Sequence, residues 1–316
     1  MPNAIAFTEY GPAEVLHPLE IAQPAPGPGQ VRIAVRTAGV NPLDCKLRSG
    51  VLQQVYPVQF PSVPGLEAAG VVEALGEGVT ELLEGDEVLG PTLTGAYAES
   101  ALASAEALVI RPGSLSWEEA AGIPTAAETA YRLLDLLGLQ PGQTLLVHGA
   151  AGGVGTLTVQ FARARGLRVV GTASAANHDY LRTLGAVPVE YGEGLGERVR
   201  AAAQDGVDGA LDLVGKGHVL PLSIELTGSP DRVITIADEH GPEYGVRFSN
   251  GTEGDFTRAA LTAALSLQTA GTLQLPVHRT YPLDKAADAH RESETGHVTG
   301  KIVLTVRDDA GAASTS

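Results

Sequence analysis

Cysteine and positive charge are both scarce in this sequence. Cys45 is the single cysteine among 316 residues, which excludes an intrachain disulfide and a zinc site built from three or four thiolates. Lys and Arg number 21 against 37 Asp and Glu, so the formal net charge is −16. Binding to nucleic-acid phosphates needs clustered Lys and Arg, so we expect no nucleic-acid partner.

Long apolar runs and a targeting signal are also missing. No run approaches the roughly 18 apolar residues of a membrane-spanning helix. The start, MPNAI, lacks the basic and apolar regions of a secretory signal peptide. We therefore expect a cytoplasmic protein without a membrane partner. A hydrophobic fraction of 44% supports packed cores, and the length suggests two domains at about 150 residues each.

The two parts of the chain differ in pattern. About the first 110 residues predict short strands separated by Gly- and Pro-rich turns, which is typical of a barrel-like or partly open β domain. Beyond Ser114 the pattern predicts a helix over 124–137 and then alternating strands and helices, as in a parallel sheet. The tail again contains strands, so we assign 1–123 and 272–316 to one domain and 124–271 to a domain inserted in it.

A glycine-rich loop follows the predicted strand 144–148 and precedes a predicted helix. Small residues let the backbone turn tightly beside a pyrophosphate, and the helix N-terminus offers N–H groups to it. This context predicts a dinucleotide site, with a merely flexible Gly-rich loop as the alternative. The loop residues expected to contact the cofactor are Ala150, Gly152, Gly153, Val154 and Gly155.

The next predicted strand indicates which cofactor is bound. NAD sites usually carry an acidic residue at this strand end, where it bonds the ribose 2′-hydroxyl. Here the strand ends Thr172-Ala173-Ser174, without a carboxylate. Ser174 and Asn177 could donate hydrogen bonds to a 2′-phosphate, so we predict NADP(H). The alternative is that Ser174 only caps the following helix.

Several motifs together resemble one enzyme family. They are AGVNPLDCKLRSG at 38–50, PGLEAAG at 64–70, AAGGVG at 150–155 and GKIVL at 300–304. The chain resembles, over essentially its whole length, the zinc-independent, zeta-crystallin-like quinone oxidoreductases of the medium-chain dehydrogenase/reductase superfamily. The resemblance implies an α/β fold, with a Rossmann-type parallel-sheet domain inserted in a GroES-like β-barrel catalytic domain. It also implies a cofactor in the cleft between the domains and, by analogy, a homodimer.

The same resemblance bears on zinc. Zinc alcohol dehydrogenases of the superfamily place a Cys ligand where this chain has Asn41 and a His where it has Leu66, so only Glu67 remains. One carboxylate cannot supply the three protein ligands of a catalytic zinc. We therefore expect no metal site, and hydride transfer to an acceptor that is already electrophilic.

Four residues near the expected cleft are candidates for catalysis. The resemblance places Asn41 beside the nicotinamide, where its amide could orient a substrate carbonyl; a simple turn before Pro42 is the alternative. Asp44 and Lys46 could form an ion pair, order the loop or relay a proton, and a structural role is favoured for both. Tyr56 could protonate the reduced product, although a packed aromatic residue is the favoured interpretation.

Further cofactor contacts are implied along the second domain. The resemblance places Thr129 at the nicotinamide end and Tyr191 near the 2′-phosphate. Val214 and Ala237 are predicted to end the fourth and fifth strands of this domain, and ligands bind outside the carboxyl ends of such strands. Glu128 is expected to be a helix-surface carboxylate or a buried paired one, rather than a base.

These expectations describe an NADPH-dependent, zinc-independent reductase acting on a quinone or another electrophilic carbonyl. An enoyl or enone reductase of a biosynthetic pathway shares the same fold and cofactor and differs only in its acceptor. A non-catalytic NADPH-binding protein is the alternative from a different functional class.

Overall fold

The structure is a computed structural model that describes residues 1–216 and 219–307. The chain forms two compact units. The first unit comprises Met1–Thr125 and the described residues from Pro276 onward, and the second comprises Ala126–Leu275. Residues 308–316, which we assigned to the first domain, lie outside the described residues.

The chain contains both strands and helices, so its fold is mixed α/β. The strands before residue 126 are β1 (Asn3–Ala6), β2 (His17–Glu20), β3 (Gln30–Val40), β4 (Glu67–Leu75), β5 (Glu87–Pro91), β6 (Ser100–Ser104) and β7 (Val109–Ile110). The helices that begin there are α1 (Pro42–Ser49), α2 (Trp117–Gly122) and α3 (Pro124–Leu137). The predicted helix 124–137 is therefore confirmed.

The second unit contributes β8 (Thr144–His148), α4 (Gly153–Ala164), β9 (Arg168–Ala173), α5 (His178–Thr183), β10 (Val187–Glu190), α6 (Leu195–Ala202), β11 (Gly209–Asp212), α7 (Val219–Thr227), β12 (Val233–Thr235), β13 (Arg247–Phe248) and α8 (Thr257–Thr269). The chain then returns to the first unit with β14 (Val277–Pro282), α9 (Ala286–Glu294) and β15 (Lys301–Thr305).

The main sheet of the first unit has the strand order β14-β15-β3-β4-β5-β7, and β6 also pairs with β3. Its core is built from inward-facing apolar residues such as Ile33, Val35 and Leu304, which are almost fully buried. The antiparallel register pairs Val40 with Ile302 and Ala38 with Ala68. The end of β3 therefore lies between the first residues of β4 and β15, which brings three distant segments together.

The sheet of the second unit is parallel, with the order β10-β9-β8-β11-β12-β13. This is the doubly wound order, in which the first strand lies at the middle of the sheet. All five residues of β8 are buried, as expected where helices cover both faces of a parallel sheet. The predicted parallel α/β domain is confirmed.

Two strand ends differ from their predicted positions. β11 ends at Asp212 and β12 at Thr235, so Val214 and Ala237 each lie beyond the strand that they were predicted to end. The reason is local hydrogen bonding. The Asp212 carboxylate accepts the N–H of Val214, and the Thr235 hydroxyl accepts the N–H of Ala237, so these two N–H groups bond to side chains instead of a neighbouring strand.

In the part of the chain that the structure describes, none of the helices has both the length and the hydropathy needed to cross a membrane.

Candidate functional site

The glycine-rich loop of the second unit turns tightly between β8 and α4. Gly149 adopts a φ of 78°, in the left-handed region that glycine favours. A Cβ on Gly155 would lie 2.2 Å from the Gly149 carbonyl oxygen and 2.7 Å from the Ala150 Cα. The close packing of helix on loop therefore requires glycine at position 155. Ala150, at the first position of the glycine pattern, is fully buried.

The outer side of the same loop is open. Gly152 is the N-cap of α4, and a Cβ placed on it would meet only the Gly149 carbonyl oxygen, at 3.6 Å. No side chain caps this helix end. The first N–H groups of a helix have no intrahelical partner, and here they belong to Gly153, Val154 and Gly155. The loop therefore fits the pyrophosphate of a dinucleotide.

The neighbouring strand ends hold the residues expected near the 2′-phosphate. β9 and β10 are parallel, with Ala173 opposite Glu190, so Ser174 and Tyr191 follow at the same edge of the sheet. The Asn177 side-chain amide donates to the Ser174 hydroxyl over 3.4 Å. Ser174 makes no capping hydrogen bond to the turn that follows, and Tyr191 is exposed.

An interaction that was not predicted from the sequence joins the two segments that follow β11 and β12. The buried Asp212 accepts the Thr235 hydroxyl over 2.8 Å and the Val214 and Gly215 N–H groups over 3.0 Å each. Thr235 in turn accepts the N–H of Ala237 over 3.1 Å. The signal in the sequence was Asp212, a carboxylate that follows the apolar residues of GALD. A carboxylate buried at the end of such a strand needs several hydrogen-bond donors.

Thr129 is buried on α3 and belongs to a polar cluster around Arg132. Its hydroxyl donates to the Glu128 carboxylate over 3.4 Å, and Arg132 Nε donates to that carboxylate over 2.7 Å. Arg132 also contacts Ser249 and, over 3.5 Å, Glu253. Glu128 is thus a paired carboxylate, as expected.

In the first unit, three buried polar side chains meet at the end of β3; we call them the Asn41 cluster. Lys301 Nζ lies 2.5 Å from Asn41 Oδ1 and 2.8 Å from Glu67 Oε1. Asn41 Nδ2 donates to the same Glu67 oxygen over 2.8 Å. The second Glu67 oxygen accepts the Thr125 N–H over 2.7 Å. Glu67 is 0% exposed, Lys301 5% and Asn41 7%, so the charges are shielded from water.

Asp44 supports this cluster from the first turn of α1. Its carboxylate accepts the Asn41 N–H over 2.8 Å and the Gly65 N–H over 3.2 Å, which joins two loops. Burial and, to a smaller extent, the nearby Glu67 raise the pKa of Asp44 to about 7, against the opposing effect of the Asn41 N–H.

The other two catalytic candidates have different surroundings. Lys46 is exposed on α1, whereas Asp44 on the same helix is buried, so the two do not share one environment. Tyr56 is half-buried in the turns after α1. Lys301 was not predicted to have a role, although a lysine that begins the buried apolar strand KIVLT is itself a signal of a buried partner.

No group of three or more His, Cys, Asp and Glu side chains able to hold a metal ion occurs within residues 1–216 and 219–307. At the position relevant to zinc, both Glu67 oxygens already accept hydrogen bonds, from Lys301, Asn41 and Thr125.

Comparisons with known proteins agree with this architecture. The alcohol dehydrogenase GroES-like domain family matches residues 27–122, and the zinc-binding dehydrogenase family matches residues 184–304. Quinone oxidoreductase from Lama guanicoe is 31% identical over 96% of this chain and 98% of its own length. The pikromycin polyketide synthase component PikAII from Streptomyces venezuelae is 37% identical over 94% of this chain, which spans only 8% of that protein.

Solved structures give the same picture. The quinone oxidoreductase from Coxiella burnetii superposes with a TM-score of 0.83 at 32% identity, covering 97% of this chain and 99% of that one. The CurK enoyl reductase gives 0.84 at 26% identity, over 97% and 99%. A mycobacterial protein complexed with NADPH gives 0.81 at 29% identity, over 97% and 100%. The expected GroES-like and Rossmann-type fold is confirmed.

Proposed function

The chain belongs to the quinone oxidoreductase family of the medium-chain dehydrogenase/reductase superfamily, and on that basis we propose that it is an NADPH-dependent, zinc-independent reductase of quinones or other electrophilic carbonyls. The observation that carries the proposal is the Asn41 cluster. It holds a neutral amide, hydrogen-bonded to Lys301 and Glu67, at the position where zinc-dependent relatives carry a thiolate ligand.

The proposed cofactor is NADPH. Its support is the carboxylate-free end of β9, where Ser174 and Asn177 present hydroxyl and amide groups, and the NADPH bound by the similar mycobacterial protein. The open side of Gly152 and the first N–H groups of α4 would hold the pyrophosphate. When bound, the nicotinamide ring supplies the hydride.

The proposed chemistry needs no metal. An amide is a weak ligand for zinc, which prefers thiolate, imidazole and carboxylate groups. The nearby Glu67 carboxylate neutralises Lys301 instead. Without a Lewis acid, the acceptor must already be electrophilic, as quinones and enones are.

Asn41 is the residue proposed to contact the acceptor. Its Nδ2 has two N–H groups, and Glu67 accepts only one of them. The other can donate to the acceptor oxygen and stabilise the negative charge that develops there. Orientation of the acceptor supplies the remainder of the rate enhancement, and solvent or Tyr56 supplies the proton.

Enone reduction is the second candidate. It is supported by the 37% identity to a polyketide synthase component over 94% of this chain and by the likeness to the CurK enoyl reductase. Hydride would then go to the β-carbon, and the Asn41 amide would bind the enolate oxygen.

One assay tests these proposals. The purified protein is given NADPH or NADH with quinones, α,β-unsaturated thioesters and simple ketones, with and without a chelator. We expect turnover of a quinone or enone with NADPH that the chelator leaves unchanged. Activity on simple alcohols that the chelator removes would contradict zinc independence, and a preference for NADH would contradict the NADPH assignment. Cofactor binding without turnover of any acceptor would indicate a binding protein.

A further inference from the structure

We propose that Lys301 and Glu67 are positioning residues that fix the orientation of the Asn41 amide. In this arrangement one Asn41 N–H is committed to Glu67, and the other stays available to the acceptor oxygen. The inference rests on the proposed function in one respect, because it takes Asn41 as the group that contacts the acceptor.

The two neighbours of Asn41 determine its amide orientation independently. Lys301 carries an ammonium group, which only donates hydrogen bonds, so the atom 2.5 Å from it must be the amide oxygen. Glu67, when ionised, only accepts, so the atom 2.8 Å from its Oε1 must be the amide nitrogen. Both requirements give the same orientation.

The reversed amide is strongly disfavoured. Reversal would place the Asn41 oxygen against the Glu67 carboxylate and its NH₂ group against the Lys301 ammonium. Both contacts are repulsive, and neither is relieved by water, since all three side chains are buried. Lys301 and Glu67 together are neutral, so they orient the amide without leaving an unpaired charge.

The two positioning residues are themselves held by the sheet. Lys301 directly precedes Ile302, which pairs with Val40, and so lies beside Asn41 across the strand pair. Glu67 begins β4, and its second oxygen accepts the Thr125 N–H over 2.7 Å. The ammonium and carboxylate groups therefore cannot exchange places to match a reversed amide.

Removal of both charged partners is the first test, because either partner alone favours the same amide orientation. We expect the paired variant Lys301→Met/Glu67→Gln to lower kcat with a quinone or enone about 100-fold, the size of effect seen when an oxyanion donor is lost, without changing the Kd for NADPH. Lys301→Arg with Glu67 intact keeps both partners and should retain most of the activity. Lys285→Met, at an exposed lysine of the same unit, is the matched control and should behave as the wild type.

A double-mutant cycle separates positioning from a general structural role. If Lys301 and Glu67 act through Asn41, then Asn41→Ala and the triple variant Asn41→Ala/Glu67→Gln/Lys301→Met should have the same kcat/KM, because no amide is left to orient. Losses that multiply in the triple variant would overturn the inference. Should Lys301→Met/Glu67→Gln not fold, Lys301→Gln/Glu67→Gln replaces it in the cycle, because both side chains can then donate as well as accept.

A measurement without substrate distinguishes this inference from the proposed function. The Asn41 side-chain NH₂ resonances are identified in the cofactor-free protein by their absence from Asn41→Ala. We expect one of the two protons to be shifted downfield by the Glu67 carboxylate in the wild type and to lose that shift in Lys301→Met/Glu67→Gln. Unchanged resonances would overturn the inference. A wild-type protein that reduces no acceptor would contradict the proposed function and leave this result standing.

Discussion

The Glu67 carboxylate lies directly over the backbone of Gly39, so that a Cβ on Gly39 would come within 2.3 Å of Glu67 Oε1. The Ala121 carbonyl oxygen approaches the same point to 2.7 Å. The absence of a side chain at position 39 is therefore what allows the carboxylate to reach Asn41 and Lys301.

Gly39→Ala tests this relationship. The added methyl must displace a buried carboxylate or backbone, so we expect a loss of about 1–3 kcal/mol in the free energy of unfolding, measured in urea. Gly113→Ala is the matched control, because a Cβ there meets nothing within 4 Å. Equal stability of the two variants would contradict the close approach.

The glycines of the dinucleotide loop should separate binding from stability. Gly152→Ala adds a methyl on the open side, so we expect at least a tenfold higher Kd for NADPH, about 1.4 kcal/mol, with stability within about 1 kcal/mol of the wild type. Gly155→Ala adds a methyl 2.2 Å from the Gly149 carbonyl oxygen and should lower the stability itself. Cofactor fluorescence titration and urea unfolding measure the two effects, and an unaltered NADPH affinity in Gly152→Ala would argue against a pyrophosphate at this loop.

The link between Asp212 and Thr235 should contribute measurably to the second unit. Thr235→Val keeps the shape but leaves Asp212 without one donor and the Ala237 N–H without its acceptor. We expect a loss of about 1–3 kcal/mol in unfolding free energy. Thr262→Val, at an exposed helix position, is the matched control and should change stability by about 0.5 kcal/mol or less. A similar small change in Thr235→Val would show that the link is dispensable.

The buried Asp44 predicts an unusual dependence of stability on pH. Its pKa is raised to about 7 in the folded protein, from 3.8, so the folded state keeps a proton that the unfolded chain loses. Stability from this group is therefore fully present below about pH 4, falls as the pH rises to about 7 and is constant above it, a change of about 4 kcal/mol.

Asp44→Asn should remove this contribution, whatever its effect on overall stability. Urea unfolding at several pH values between 4 and 8 measures the slope. Asp284→Asn, at an exposed carboxylate of the same unit, serves as the control and should keep the wild-type slope. A slope for Asp44→Asn equal to that of the control would show that Asp44 is ionised throughout this range.

The parts that the sequence predicted well depend on local pattern. The helix at 124–137 and the strand at 144–148 follow from apolar periodicity between turn residues, and the structure has them at those bounds. The tight glycine-rich loop between β8 and α4 was recognisable because its glycines are needed within one strand–loop–helix unit.

The parts that could not be predicted depend on pairing between distant segments. Asn41 and Lys301 are 260 residues apart, and only the register of β3 with β15 makes them neighbours. The strand ends at Asp212 and Thr235 were misplaced because side-chain hydrogen bonds, rather than apolar pattern, stop those strands. The short strands β2 and β13 carry too few residues to show periodicity.

The position of β15 in the sheet also has a consequence for how the protein is made. β15 lies between β14 and β3, so the sheet of the first unit has a gap beside β3 until translation has passed residue 305. Until the ribosome has added Lys301, the Glu67 carboxylate lacks its ammonium partner and cannot be buried without penalty. All strands of the second unit precede β15 in the sequence, so this unit can fold before the first unit does, because domains generally fold as separate units during synthesis. The first unit therefore cannot complete its main sheet until β15 has been synthesised.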